Sequence, residues 1–252
     1  MTIIFYDIPS TAPGSAWSPN TWKVRYCLNY KGIPYKTEWV EYPDIKKHCQ
    51  ERGIEPTFTG PGAPEGGLYT LPAIHDPSTG IYLADSQAIA EYLEKTYPDT
   101  PPVFPDNTAA LQIGFARGFH RTALEALPEF IQPAILGRLN PASQEFFRRT
   151  REEDFGMKLE DVLPQGEKRI ERWAKVKSDF GQVADWYDRN GGKDPFLLGE
   201  KLSWGDMVVA GFTVWLKIIW GEDSTEWKEI ETWHNRRWKT LLGALEKYSA
   251  IH

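Results

Sequence analysis

Between Thr70 and Glu94 the chain holds two short apolar runs, Leu71 to Ile74 and Ile81 to Leu83, on either side of Asp76-Pro77-Ser78-Thr79-Gly80. The Asp, Pro, Ser and Gly of that insert each supply turn chemistry, so the stretch reads as a β-hairpin. Asp85-Ser86 then offers two helix-capping residues ahead of Ile89, Tyr92 and Leu93 at helical spacing. A proline at position 72 cannot donate to a sheet ladder, which puts it at a strand start or a special bend. If the Leu71–Pro72 bond is cis, the Leu71 N–H and C=O are left free to pair with an extended peptide. The helix opening at Asp85 points unpaired N–H groups forward, which suits a carboxylate. A peptide edge and an anion socket therefore lie side by side.

This stretch resembles the glutathione-binding half of the thioredoxin-like domain of cytosolic glutathione transferases. In that family a cis-proline follows the residue that pairs with the cysteinyl backbone of glutathione, and an acidic residue plus Ser holds the γ-glutamyl end. The resemblance assigns these roles to Leu71, Pro72, Asp85 and Ser86.

The chain upstream has the order this implies. Residues 3 to 6 read as a strand apolar on both faces, and a loop from Asp7 to Ala16 follows. Ser18 as cap and Pro19 as first residue open a helix that stops at Lys31-Gly32. Tyr35 to Val40 alternates like a second strand, and a short helix is expected over 43 to 49. A Gly- and Pro-rich surface loop spans 53 to 67. The sum is βαβα-ββα, a thioredoxin-like α/β domain to residue 97.

Four prolines between Tyr97 and Asp106 mark 98–106 as a linker, and 107–252 reads as an all-helical domain. A long helix is expected from Asp106 to Ile135, broken or kinked near Pro128 and Pro133. Residues 137 to 150 read as a polar insertion, and Ile170 to Tyr187 carries an apolar stripe. Ser203 and Asp206 form a capping-box pattern ahead of a buried helix. Glutathione transferases carry a Ser/Thr-x-x-Asp box there, preceded, as here, by a Phe-Leu-Leu-Gly segment, Phe196 to Gly199. This second resemblance lies far from the first and in the right order.

A net charge of −6 gives no electrostatic reason to expect nucleic acid or an anionic membrane as partner. Cys27 and Cys49 are the only cysteines, without a C-x-x-C, which argues against a disulfide scaffold and against thioredoxin-type exchange. The N-terminus shows no signal peptide, and the longest apolar segment, Met207 to Trp220, is too short to cross a bilayer. A cytoplasmic protein is expected. The histidines show no metal-ligand spacing, so no metal is expected.

The resemblance implies a chemistry of detoxification in which glutathione reacts as the thiolate. A hydroxyl at the mouth of the first helix can stabilise that thiolate by hydrogen bond and dipole together. Ser18 is the candidate activator, with Ser15 and Asn20 in reserve and Tyr6 an alternative from the first strand. Asn20, at the same helix mouth, joins the glutathione-binding set.

A pocket for flat aromatic compounds is expected from Tyr6, Pro13, Trp17 and Trp22 on one side and Phe115, Phe119 and His120 on the other. The run Ser18-Pro19-Asn20-Thr21-Trp22-Lys23-Val24-Arg25-Tyr26 resembles the fungal etherase-like transferases and the bacterial β-etherases, implying attack on aromatic ethers or similar electrophiles. The family also implies a homodimer. A ligandin-like carrier of phenolic compounds is the alternative reading, and an interaction module without a glutathione site is a third.

Overall fold

The computed structural model describes residues 2–192 and 194–252. Four strands, β1 (Ile3–Asp7), β2 (Tyr35–Trp39), β3 (Ala73–Asp76) and β4 (Ile81–Ala84), form one sheet in the order β2-β1-β3-β4. β1 runs parallel to β2 and antiparallel to β3, with Tyr6 opposite both Glu38 and Ala73. Three helices complete this half: α1 (Pro19–Lys31), α2 (Ile45–Glu51) and α3 (Ser86–Thr96). Because side chains alternate along a strand, β1 feeds both faces. Phe5 lies under the Arg25 guanidinium of α1 at 5.0 Å, and Tyr6 meets the His48 ring of α2 at 4.4 Å.

The hairpin is tied by its own turn. Asp76, buried, accepts from the Ser78 N–H and hydroxyl and from the Tyr92 and Tyr97 hydroxyls of the following segment. This fixes β3–β4 to α3, and with it the position of Asp85. The Leu71–Pro72 peptide just before β3 is cis. Along the free edge of β2, the Thr37 N–H donates to the His252 carbonyl at 2.7 Å and the Tyr35 hydroxyl to the Ala250 carbonyl, so the chain end covers an otherwise open strand.

The remainder is helical: α4 (Ala109–Ala123), α5 (Pro128–Ile135), α6 (Pro141–Phe155), α7 (Leu159–Val162), α8 (Gly166–Asp188), α9 (Trp204–Trp220), α10 (Thr225–Ile230) and α11 (Trp233–Leu245). The expected long helix from 106 to 135 is two helices. Its break falls at Leu124–Leu127, and Pro128 opens α5, where a missing N–H costs nothing.

The stretch 137 to 150 is no insertion but most of α6. Asn140 and Pro141 start that helix, Gly156 with φ +66° ends it, and Ser143 and Phe147 face inward. Its polar look comes from a solvent face carrying the Arg148–Glu152 and Arg149–Glu153 pairs. Most tryptophans are core: partly buried Trp173 meets Phe130, Trp220 and Trp233 at tilted or edge-on angles, and Trp238 packs edge-on to Phe180.

α9 is the central helix, buried nearly all round, and it joins the two halves by packing on α1. The approach is close because position 211 is glycine. A Cβ there would sit 2.8 Å from the Pro19 carbonyl and 3.3 Å from the Lys23 nitrogen. The mouth of α1 is thus held against the helical half.

Candidate functional site

The cleft between the halves, about 380 Å³, is lined by Asn20 and Lys23 of α1, Leu71 and Pro72 before β3, Asp85 and Ser86 at the start of α3, Arg117 and His120 of α4, and Trp204 and Val208 of α9. Among the described residues neither the N–H nor the C=O of Leu71 has a protein hydrogen-bond partner. The socket beside it is narrower than a bare helix end. Asp85 Oδ1 caps α3 by accepting from the N–H groups of Gln87 and Ala88, both at 2.9 Å.

That leaves the Ser86 N–H and hydroxyl, and Asp85 Oδ2, without protein partners among the described residues. Asp85 adopts φ +78°, ψ 122°, a conformation L-residues rarely take, at a cost of about 1–3 kcal/mol. Strain of this kind concentrates where a side chain must be aimed. An acceptor, a donor pair and a free peptide edge together match a zwitterionic amino-acid end joined to a peptide.

Ser18 takes the N-cap position of α1 with extended backbone, yet its hydroxyl makes no capping bond. Its carbonyl accepts instead from the Trp22 N–H and the Thr21 hydroxyl, each at 3.0 Å. The hydroxyl, on a residue only 4% exposed, stays uncommitted; Ser18 does not itself line the cleft, but Asn20, two residues on, does. Tyr6 is removed from that wall, buried against His48, and burial pushes its phenol pKa up. Both cysteines are buried, with burial raising Cys27 to about 12 and Cys49 to about 11, so neither supplies a thiolate.

The expected aromatic pocket does not assemble as the sequence suggested. Of its candidates only His120 lines the cleft. Trp17, though in a loop, is buried beside Tyr42. Trp22 and Pro13 line a separate hollow behind α1, with Tyr26 and Ile218. Phe119 is buried against Phe212, and Phe115 packs edge-on to Trp186 and Tyr187. These rings were needed for interhelix packing, and the cleft walls are built from Ala116, His120, Trp204 and Val208 instead.

The sequence pattern does not single out Lys23, Arg117 or Trp204 as cleft residues. The one available signal was spacing, since Lys23 follows Asn20 by three and shares its helix face. His120 donates its Nδ1–H to the Ala116 carbonyl, 2.6 Å away, and burial with the nearby Lys23 charge lowers its pKa. Among the described residues no group of acids, histidines and cysteines could hold a metal ion, and no helix is long and apolar enough to cross a membrane.

Comparison with known proteins agrees with this layout. Family models match residues 17–96 as a glutathione S-transferase N-terminal domain and 110–248 as a glutathione S-transferase C-terminal domain. Among curated relatives, the glutathione S-transferase-like protein ustS of Aspergillus flavus is 34% identical over 253 residues, covering 95% of this chain and 88% of that protein. Among solved structures, a glutathione S-transferase of Ceriporiopsis subvermispora in complex with glutathione is 50% identical, with a TM-score of 0.95 over 100% of this chain and 99% of that one. Glutathione transferase GSTFuA3 of Phanerochaete chrysosporium is 40% identical, with a TM-score of 0.92 over 100% and 99%. The chain belongs to the glutathione S-transferase family.

Proposed function

We propose that this protein binds glutathione in the cleft, ionises its thiol with Ser18, and transfers the thiolate to hydrophobic aromatic compounds or cleaves their ethers. Leu71 pairs the cysteinyl backbone, the Ser86 N–H and hydroxyl take the γ-glutamyl carboxylate, and Asp85 Oδ2 takes its ammonium. The observation that carries this reading is the unpaired main chain of Leu71 beside the strained, half-free carboxylate of Asp85. The glutathione complex of the Ceriporiopsis relative supports the choice of ligand. The electrophile lies against His120, Trp204 and Val208, while the etherase-like branch rests on the run from Ser18 to Tyr26. As in the family at large, the working unit is a homodimer in the cytoplasm.

A hydrogen bond to a charged sulfur is worth about 1.5–3 kcal/mol, or about one to two pKa units of thiol. Ser18→Ala is therefore expected to raise the pKa of bound glutathione by that amount, followed by thiolate absorbance, and to cut kcat/KM about tenfold or more. A wild type that binds glutathione without ionising it instead makes the protein a carrier. For the socket, Asp85→Asn keeps an oxygen to cap α3 but loses the charge facing the ammonium. Retention on immobilised glutathione should weaken about tenfold with the melting temperature held, and unaltered retention would refute the assignment.

A further inference from the structure

Lys23 is 4% exposed, yet it lies on the cleft wall. Its ammonium donates to Asn20 Oδ1 at 2.8 Å and sits 4.9 Å from the centre of the Phe212 ring of α9. Among the described residues no carboxylate lies within ion-pair distance of it. A buried cation without a counter-ion is costly unless something anionic arrives. Burial lowers its pKa to about 8, with the charge of Asp85 opposing. Around it stand Asp85 from α3, Arg117 and His120 from α4, and Asn20 on its own helix.

An ammonium can only donate, so the oxygen of the Asn20 amide is the end it holds. The –NH₂ end then remains for the cleft, where it can donate to an anion. We propose that Lys23 is a positioning residue for glutathione ionisation: it fixes the Asn20 amide with its N–H groups available to the sulfur and sets a positive charge behind the thiolate. This rests on the glutathione reading above. In the step it serves, the S–H bond breaks, the electron pair stays on sulfur and the proton passes to solvent.

The test is a thiolate-absorbance titration of glutathione on the wild type, Lys23→Met, Lys23→Arg and Asn20→Ala. S-methylglutathione, which has no ionisable sulfur, serves as the binding control. Removing an opposite charge near an ionising group shifts its pKa by about one unit or more. Lys23→Met should raise the bound thiol by about one unit while S-methylglutathione affinity changes less than about threefold. Lys23→Arg should restore most of the shift. Adding Lys23→Met to Asn20→Ala should do less than the sum of the two.

A Lys23→Met protein that holds S-methylglutathione normally and leaves the thiol pKa unmoved overturns the proposal. Equal loss of both peptides also overturns it, because the ammonium would then grip a carboxylate. Should Lys23→Met not fold, Lys23→Gln carries the same readings. A wild type that binds neither peptide overturns the glutathione reading itself, which separates the two failures.

Discussion

Asp206→Ala is expected to lower the unfolding free energy by about 4 kcal/mol, seen as a shift of the urea midpoint and a fall in melting temperature of roughly 10 °C for a chain of this size. The buried Asp206 carboxylate accepts from the Leu197 N–H at 2.7 Å, the Ser203 N–H at 2.9 Å and the Ser203 hydroxyl at 2.7 Å. Alanine leaves the two N–H groups without a partner in a site that excludes water, at about 1–3 kcal/mol each before relaxation, while the Ser203 hydroxyl can still turn to Gln112 Oε1 at 3.2 Å. Gln112 of α4 completes the end of α9 by accepting from the Gly205 N–H at 2.8 Å. Ser203→Ala removes one donor and should cost only about 1–2 kcal/mol. An Asp206→Ala protein within 1 kcal/mol of wild type would show that this cap does not hold the helical half.

The pH dependence of that difference has a definite sign. Burial raises the Asp206 pKa to about 6, against the opposing hydrogen bonds from Ser203 and Leu197. Its unfolded value is about 3.9. Between those two values the folded state keeps a proton that the unfolded state has released. Stability from this group is therefore full below about pH 4 and declines as the pH rises to about 6. The gap between wild type and Asp206→Ala should narrow over that window and stay constant above it.

The elements that sequence pattern located are those whose signals are local. Pro19, Gly32, Gly80 and the Ser203–Asp206 box each fix a helix or turn end by short-range chemistry, and the structure has an end at each. α6 was missed because its helix signal is carried by a charged solvent face, while only Ser143 and Phe147 turn inward. The cleft was legible where a backbone feature defines it, at Leu71, Pro72, Asp85 and Ser86.

It was illegible where the walls depend on which face of one helix meets another. Phe115, Phe119 and Trp22 have the same composition whether they line a pocket or fill a core. Only the packing of α4 against α8 and α9, and of α1 against α9, decides between those uses. Lys23 shows the converse. A lysine at helical spacing reads as solvent-facing, and it is buried here because Gly211 lets α9 close over α1.

Arg25→Met is expected to cost about 3–5 kcal/mol, and the double change Asp7→Leu/Arg25→Met less than either single one. Asp7 and Arg25 form an ion pair at 2.6 Å with both side chains fully buried. The guanidinium also donates to the Tyr35 and Thr37 hydroxyls, each at 3.2 Å, and lies over the Phe5 and Trp22 rings. Burial holds the Asp7 carboxyl above its usual range, with Arg25 the chief opposing influence. Removing one partner strands the other charge in an apolar core, whereas removing both trades a desolvated pair for packing. Urea unfolding of the two single variants and the double gives the coupling directly, and simple additivity would refute it. Asp7 ends β1, so this pair anchors the start of the loop that carries Ser18 to a residue two turns into α1. A loop fixed at both ends to the same helix presents its hydroxyl without a capping bond to hold it.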